Sequence, residues 1–178
     1  MKIGIIRHFK VNYKPKLRWM DSEQFDKWIE EYNNSEIIPL NNIGNNGDWD
    51  ICFSSDLKRA EYTAKLIYDG IIIKTKDLRE IGIKTFFKTK IKFHHIIWLI
   101  TNRIIWYFSK ESEGETKNEA ILRAKRFIDL IEVSDYSKIL VVSHGLFMKY
   151  LNKELKQRKY KGRMKLFPKN GKLIIYKK

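Results

Sequence analysis

Apolar and polar positions come in alternating blocks along this 178-residue chain, and the blocks read in turn as strands and helices. Lys2 to Ile6 is a short apolar run of β type, followed at once by polar residues. Asp21 can cap a helix from about Ser22 to Tyr32, with Phe25, Trp28, Ile29 and Tyr32 at helical spacing. The turn-rich stretch Asn41 to Asp48 separates it from Trp49 to Phe53, which reads as a buried strand. Asp56 is expected to open a helix through Tyr68, with Leu57, Ala60, Ala64 and Ile67 on one face, and Ile71 to Lys74 reads as a third strand. Residues 84–116 are irregular, aromatic and basic, with Phe93 to Phe108 inside them as a helix partly buried in protein. A helix from about Thr116 to Val133 carries a continuous apolar face from Ala120 to Ile131. Ile139 to Val142 is the clearest strand, and Gly145 and a helix from about Leu146 to Leu155 follow it. Met164 to Tyr176 is expected to form a hairpin about Asn170-Gly171, a strong turn dipeptide.

Strands alternating with helices predict an α/β fold, a three-layer α/β/α sandwich with a mainly parallel central sheet covered on both faces. With no internal repeat and no low-complexity linker, residues 1–178 are expected to form a single domain.

Charge narrows the partners. Lys and Arg total 36 against 21 Asp and Glu, a net charge of +15. Such an excess draws phosphorylated small molecules, acidic proteins, nucleic acid or anionic lipid without choosing among them, and it also suits a soluble Lys-rich surface. No base-stacking motif of an RNA module is visible, so no nucleic-acid partner is expected. Phe93 to Phe108 falls short of the roughly 20 residues a membrane span needs, and it carries His94, His95, Asn102 and Arg103, so no stable membrane association is expected. The lone cysteine, Cys52, sits in an apolar run and reads as a buried, inert thiol. One cysteine cannot close an intramolecular disulfide, and the first residues lack the features of a signal peptide; both fit a cytoplasmic protein.

Three of the apolar strands end in reactive residues: Arg7-His8, Ser54-Ser55-Asp56 with Arg59 one turn later, and Ser143-His144-Gly145. In open parallel sheets ligands bind outside the carboxyl ends of the strands, so these clusters are expected to meet at one edge. Two arginines and two histidines suit a phosphoryl group. Arginine offers planar paired donors, a neutral imidazole can attack phosphorus, and a second histidine, if protonated, can stabilise the transferring charge. The helix after His144 is expected to offer free backbone N–H groups to the anion.

Arg7-His8, the block Ser54-Ser55-Asp56-Leu57-Lys58-Arg59-Ala60 with Thr63-Ala64, then Leu78-Arg79-Glu80, then Ser143-His144-Gly145 resemble the histidine phosphatase superfamily, the group that includes the cofactor-dependent phosphoglycerate mutases. The resemblance runs from residue 2 to about 155. It implies a metal-independent phosphatase without cofactor, acting on a phosphorylated small molecule or phosphoprotein. His8 would become a phosphohistidine, Arg7, Arg59 and His144 would hold the phosphoryl oxygens, and Glu80 would protonate the leaving oxygen. It also implies that residues 82–115 cover the site as a lid. A phosphomutase and a catalytically weak anion- or nucleic-acid-binding relative are the alternative readings. The chain departs from the family pattern at Phe9, where glycine is usual, and at Lys10 and Val11, which weighs against the mutase. Phe9 is expected to crowd the site or to wall an apolar part of the substrate. The basic loop Lys10, Lys14, Lys16 and Arg18 suits either a second anionic group or plain solvation. No metal site is expected, because the adjacent His94 and His95 would point about 100° apart on a helix.

Overall fold

The computed structural model describes residues 1–39, 48–109 and 114–178. The turn-rich stretch expected over Asn41 to Asp48 lies outside these residues, apart from Asp48. The first half of the chain holds β1 (Lys2–Arg7), β2 (Lys10–Val11), β3 (Trp19–Met20), α1 (Ser22–Asn34), β4 (Ile37–Ile38), β5 (Ile51–Ser55), α2 (Lys58–Ile67) and β6 (Ile72–Thr75). A short 3-10 turn, Lys76–Leu78, leads on to β7 (Phe93–His94), α3 (His95–Phe108), α4 (Lys117–Glu132), β8 (Lys138–Ser143), α5 (Phe147–Gln157) and β9 (Leu173–Lys177).

The main sheet has the order β6-β5-β8-β1-β9. All its pairings are parallel except the last, where β9 runs antiparallel to β1. The four parallel strands read as apolar runs because helices cover both faces. On one face α2 sets Ala60 and Ala64 against Ile6, Cys52, Leu140 and Val142. On the other, α4 and α5 bury Phe127, Ile128, Met148 and Leu151 against Ile3, Ile5, Ile139 and Val141. Cys52 is fully buried, and that burial pushes its thiol up to about 12. A third apolar cluster of Met20, Phe25 and Trp98 joins α1 to α3.

Local sequence explains two helix starts well. Asp21 caps α1 in a reciprocal box with Gln24, and Thr116 caps α4 in the same way with Glu119. Asp56, expected to open α2, does not cap it. Helix α2 begins at Lys58 with no side-chain cap, and both Asp56 oxygens accept instead from Arg79 at 2.6 Å. The expected C-terminal hairpin is also corrected. Gly171 takes a left-handed turn at φ 68°, but the strand after it, β9, pairs with β1 rather than with the residues before the turn. The segment over 84–116, expected to be irregular around its helix, contains β7 and the whole of α3. His94 caps α3, accepting from the Ile96 N–H, so the His94-His95 pair starts a helix. Among the described residues no helix is long and apolar enough to cross a membrane.

Candidate active site

Parallel pairing in register sets the site. Arg7 at the end of β1 lies opposite Ser143 at the end of β8, and the His8 N–H donates to the Ser143 carbonyl at 3.0 Å. His8 and His144 therefore leave neighbouring strands at the same level, with ring centroids 5.0 Å apart. Strand β5 delivers Arg59 on the first turn of α2, and β6 with its 3-10 turn delivers Arg79 and Glu80. Arg7, His8, Arg59, Glu80 and His144 thus converge at the carboxyl edge of the sheet. The first four line one cavity of about 470 Å³, and His144 lies buried beneath it against Arg59.

Hydrogen bonds define the protons. His8 Nδ1 lies 2.6 Å from the Phe9 carbonyl, which can only accept. Nδ1 therefore carries the hydrogen, and the lone pair sits on Nε2. Burial first, then the Arg59 and Arg7 charges, push His8 down to about 3, so its ring is neutral at ordinary pH. His144 is the mirror case. Arg59 Nε donates to its Nδ1 at 3.2 Å, so its hydrogen sits on Nε2. Full burial and then the Arg59 charge hold His144 well below the usual histidine range. The protonated form, on which the charge-stabilising role read from sequence is conditional, is therefore not the one held in the free protein, where His144 is a neutral N–H donor.

Two buried donors in this cluster, Arg7 Nε and His144 Nε2, have no hydrogen-bond partner among the described residues. Leaving buried donors unpaired costs roughly 1–3 kcal/mol each, so a site that keeps two is built to receive an acceptor. Arg7 is aimed by the Pro168 carbonyl, which accepts from its guanidinium at 3.1 Å. It also passes so close to the chain that a Cβ on Gly145 would stand 3.2 Å from its Cζ and Nε.

Glu80 sits at the start of α5. Its Oε1 accepts from the Phe147 N–H at 3.0 Å and the Ile81 N–H at 3.1 Å, and its Oε2 from the Leu146 N–H at 3.2 Å. The N–H groups expected to be free for an anion are therefore taken by Glu80, a correction that follows from the favourable placement of a carboxylate at a helix N-terminus.

Several supporting residues carried no sequence signal. Asn33 accepts from Arg59 at 2.8 Å, and Asn170 donates to the His8 carbonyl at 2.7 Å. The Asn170-Gly171 dipeptide announced its turn but not this contact. Thr63, noted only within a motif, accepts from the Phe9 N–H at 2.9 Å and donates to the Arg59 carbonyl at 2.6 Å. Buried Arg123 grips Glu115 with two bonds of 2.6 Å and donates to the Asp77 and Arg79 carbonyls at 2.8 Å, fixing the turn that carries Glu80. Phe9 is corrected too. It is 1% exposed and lines none of the cavities described, and its backbone avoids the left-handed region, so a side chain fits where glycine is usual. Lys10, Lys14, Lys16 and Arg18 are solvated and line neither cavity at the site.

A family model for the histidine phosphatase superfamily (branch 1) matches residues 41–177. The chain belongs to that superfamily. The match starts beyond Arg7-His8, whose place beside Arg59 and His144 comes from the pairing of β1 with β8. No curated protein matches the sequence. Among solved structures, the chain is similar to a phosphoserine phosphatase from Entamoeba histolytica, with 20% identity, a TM-score of 0.60, and 98% of this chain and 89% of that one covered. It is also similar to the α-ribazole phosphatase from Shigella flexneri (20% identity, TM-score 0.55, coverage 87% and 79%) and to a mycobacterial glucosyl-3-phosphoglycerate phosphatase (15%, 0.56, 88% and 79%). At these identities the superfamily likeness to the three is one of fold, the phosphoglycerate mutase-like α/β arrangement.

Proposed function

We propose that this superfamily member is a metal-independent phosphomonoesterase that acts through a phosphohistidine on His8. The observation that carries the reading is the pair of opposed tautomers: a bare Nε2 lone pair on His8 faces a cluster whose buried donors, His144 Nε2 and Arg7 Nε, await an acceptor. Arg7, Arg59 and His144 would hold the three non-bridging oxygens and draw off charge as the phosphoryl group moves. His8 Nε2 forms a bond to phosphorus while the bond from phosphorus to the ester oxygen breaks. The departing oxygen takes a proton from the Glu80 carboxyl group. Oε2 suits that role, because it accepts one backbone N–H where Oε1 accepts two. Water then attacks the phosphohistidine, Glu80 receives its proton, and phosphate and free His8 are released.

The substrate is a phosphorylated small molecule or a phosphoprotein, and α3, which sets Leu99 and Arg103 into the cavity wall, acts as a lid. Hydrolysis of para-nitrophenyl phosphate in excess chelator, with label trapped on His8, is the expected result. Full activity in His8→Ala, or a strict metal requirement, refutes the reading.

A further inference from the structure

Helix α3 docks on the protein through Trp98, Trp106 and two polar side chains, and it is apolar towards solvent as well. Buried Asn102 accepts from the Phe86 N–H, and Arg103 donates to the Ile81 and Gly82 carbonyls. Outward, Ile96, Ile100, Ile104, Tyr107 and Phe108 form an exposed stripe. An outward apolar stripe on a helix otherwise docked on its own protein marks a surface that something apolar covers.

The stripe lies along a second cavity. That cavity measures about 820 Å³ and shares Arg7, Glu80, Leu99 and Arg103 with the cavity that holds His8 and Arg59. Ile100, Ile104, Tyr107 and Phe108 line it together with Ile121 and Phe167. Lys117, Lys149 and Lys153 also line it, and the first two are turned onto aromatic rings. Lys117 Nζ lies 3.7 Å from the centroid of Tyr107, and Lys149 Nζ lies 4.9 Å from that of Phe167. Among the described residues Glu80 is the one carboxylate that lines it, and Leu99, Trp106 and Leu146 add to its apolar wall.

From these observations we infer that the substrate is the phosphomonoester of an apolar alcohol, whose hydrocarbon part lies in the α3–Phe167 cavity. The inference rests on the phosphatase reading and adds direction to it. In an in-line displacement the leaving oxygen departs on the side away from His8 Nε2 and beside the proton donor. Glu80 belongs to both cavities and His8 only to the smaller one, so the path past Glu80 leads into the larger, apolar one.

The test is a series of n-alkyl phosphates, ethyl to octyl, each held below its aggregation concentration. In the unmodified protein kcat/KM is expected to rise roughly two- to fourfold per methylene, as burial of alkyl groups in an apolar wall requires. Ile100→Ser and Ile104→Ser change residues that are 54% and 53% exposed, so the core stays intact, and each is expected to flatten the rise from ethyl to octyl within the same variant. A flat series in the unmodified protein overturns the inference while leaving the phosphatase reading standing, whereas hydrolysis of no ester at all sinks the phosphatase reading itself. A rise that survives both serine variants and collapses in Ile29→Ser, which lines the smaller cavity, also overturns the assignment. Dodecyl phosphate offered free and in phosphatidylcholine vesicles separates the two sources of such an alcohol: faster turnover of the free ester supports a dissolved substrate, and faster turnover in vesicles a bilayer-borne one.

Discussion

Acid should destabilise this protein through its buried neutral histidines, and His8 allows the size of the effect to be worked out. An unfolded histidine titrates near 6.5, whereas burial and the flanking arginines bring folded His8 down to about 3. Between those values the unfolded chain binds more protons than the folded one, so stability falls as pH falls and is complete only above the unfolded value. From pH 7 to pH 5 the linkage amounts to about 2 kcal/mol for His8 alone. His144 is shifted in the same direction and adds to the loss. The assay is urea unfolding at both pH values, for the unmodified chain and for His8→Asn. The asparagine amide nitrogen can take the place of Nδ1 against the Phe9 carbonyl without titrating. Phosphate and sulfate must be left out, because an anion against Arg7 and Arg59 would favour the protonated ring. The variant should lose about 2 kcal/mol less than the unmodified protein over this interval. Equal losses in the two proteins would refute the argument that His8 is buried uncharged.

Three further outcomes follow from the site. Glu80→Gln should slow hydrolysis of alkyl phosphates by about 10²–10⁴-fold and of para-nitrophenyl phosphate far less, since a phenolate leaves without a proton; equal losses on both would remove the proton-donor role. Thr63→Val should lower stability by about 1–3 kcal/mol in chemical unfolding, because it leaves the Phe9 N–H and the Arg59 carbonyl without their shared hydroxyl. Gly145→Ala would set a methyl group 3.2 Å from Arg7 Cζ, so inhibition by inorganic phosphate should weaken while the unfolding midpoint stays nearly unchanged.

Much of the site's layout could be read in one dimension because it is carried by local signals. Apolar runs ending abruptly in Arg7-His8, Ser54-Ser55 and Ser143-His144 mark strand exits, and parallel strands must bring such exits to one edge. The periodic faces of α1, α2, α4 and α5 likewise follow from spacing along the chain. What spacing does not contain is who meets whom across the fold. The tautomer of His144 depends on Arg59, 85 residues away along the chain. The free Nε2 of His8 depends on a backbone carbonyl whose direction Thr63 and the fold fix together. Asp56 reads locally as a helix cap, yet the tertiary structure gives it to Arg79; the Asn170-Gly171 turn reads locally as a hairpin, yet β9 finds β1. Helix α3 shows the limit most plainly. Its sequence is apolar nearly all round, so periodicity cannot say which face is covered. Only packing against α1 and the carbonyls of Ile81 and Gly82 turns Trp98, Asn102 and Arg103 inward and leaves Ile100 and Ile104 outside. The sequence by itself determined the elements and the edge where the reactive residues gather, because strand and helix periods are local properties. The tertiary structure decided protonation, aim and exposure, because those depend on contacts between residues that the chain holds far apart.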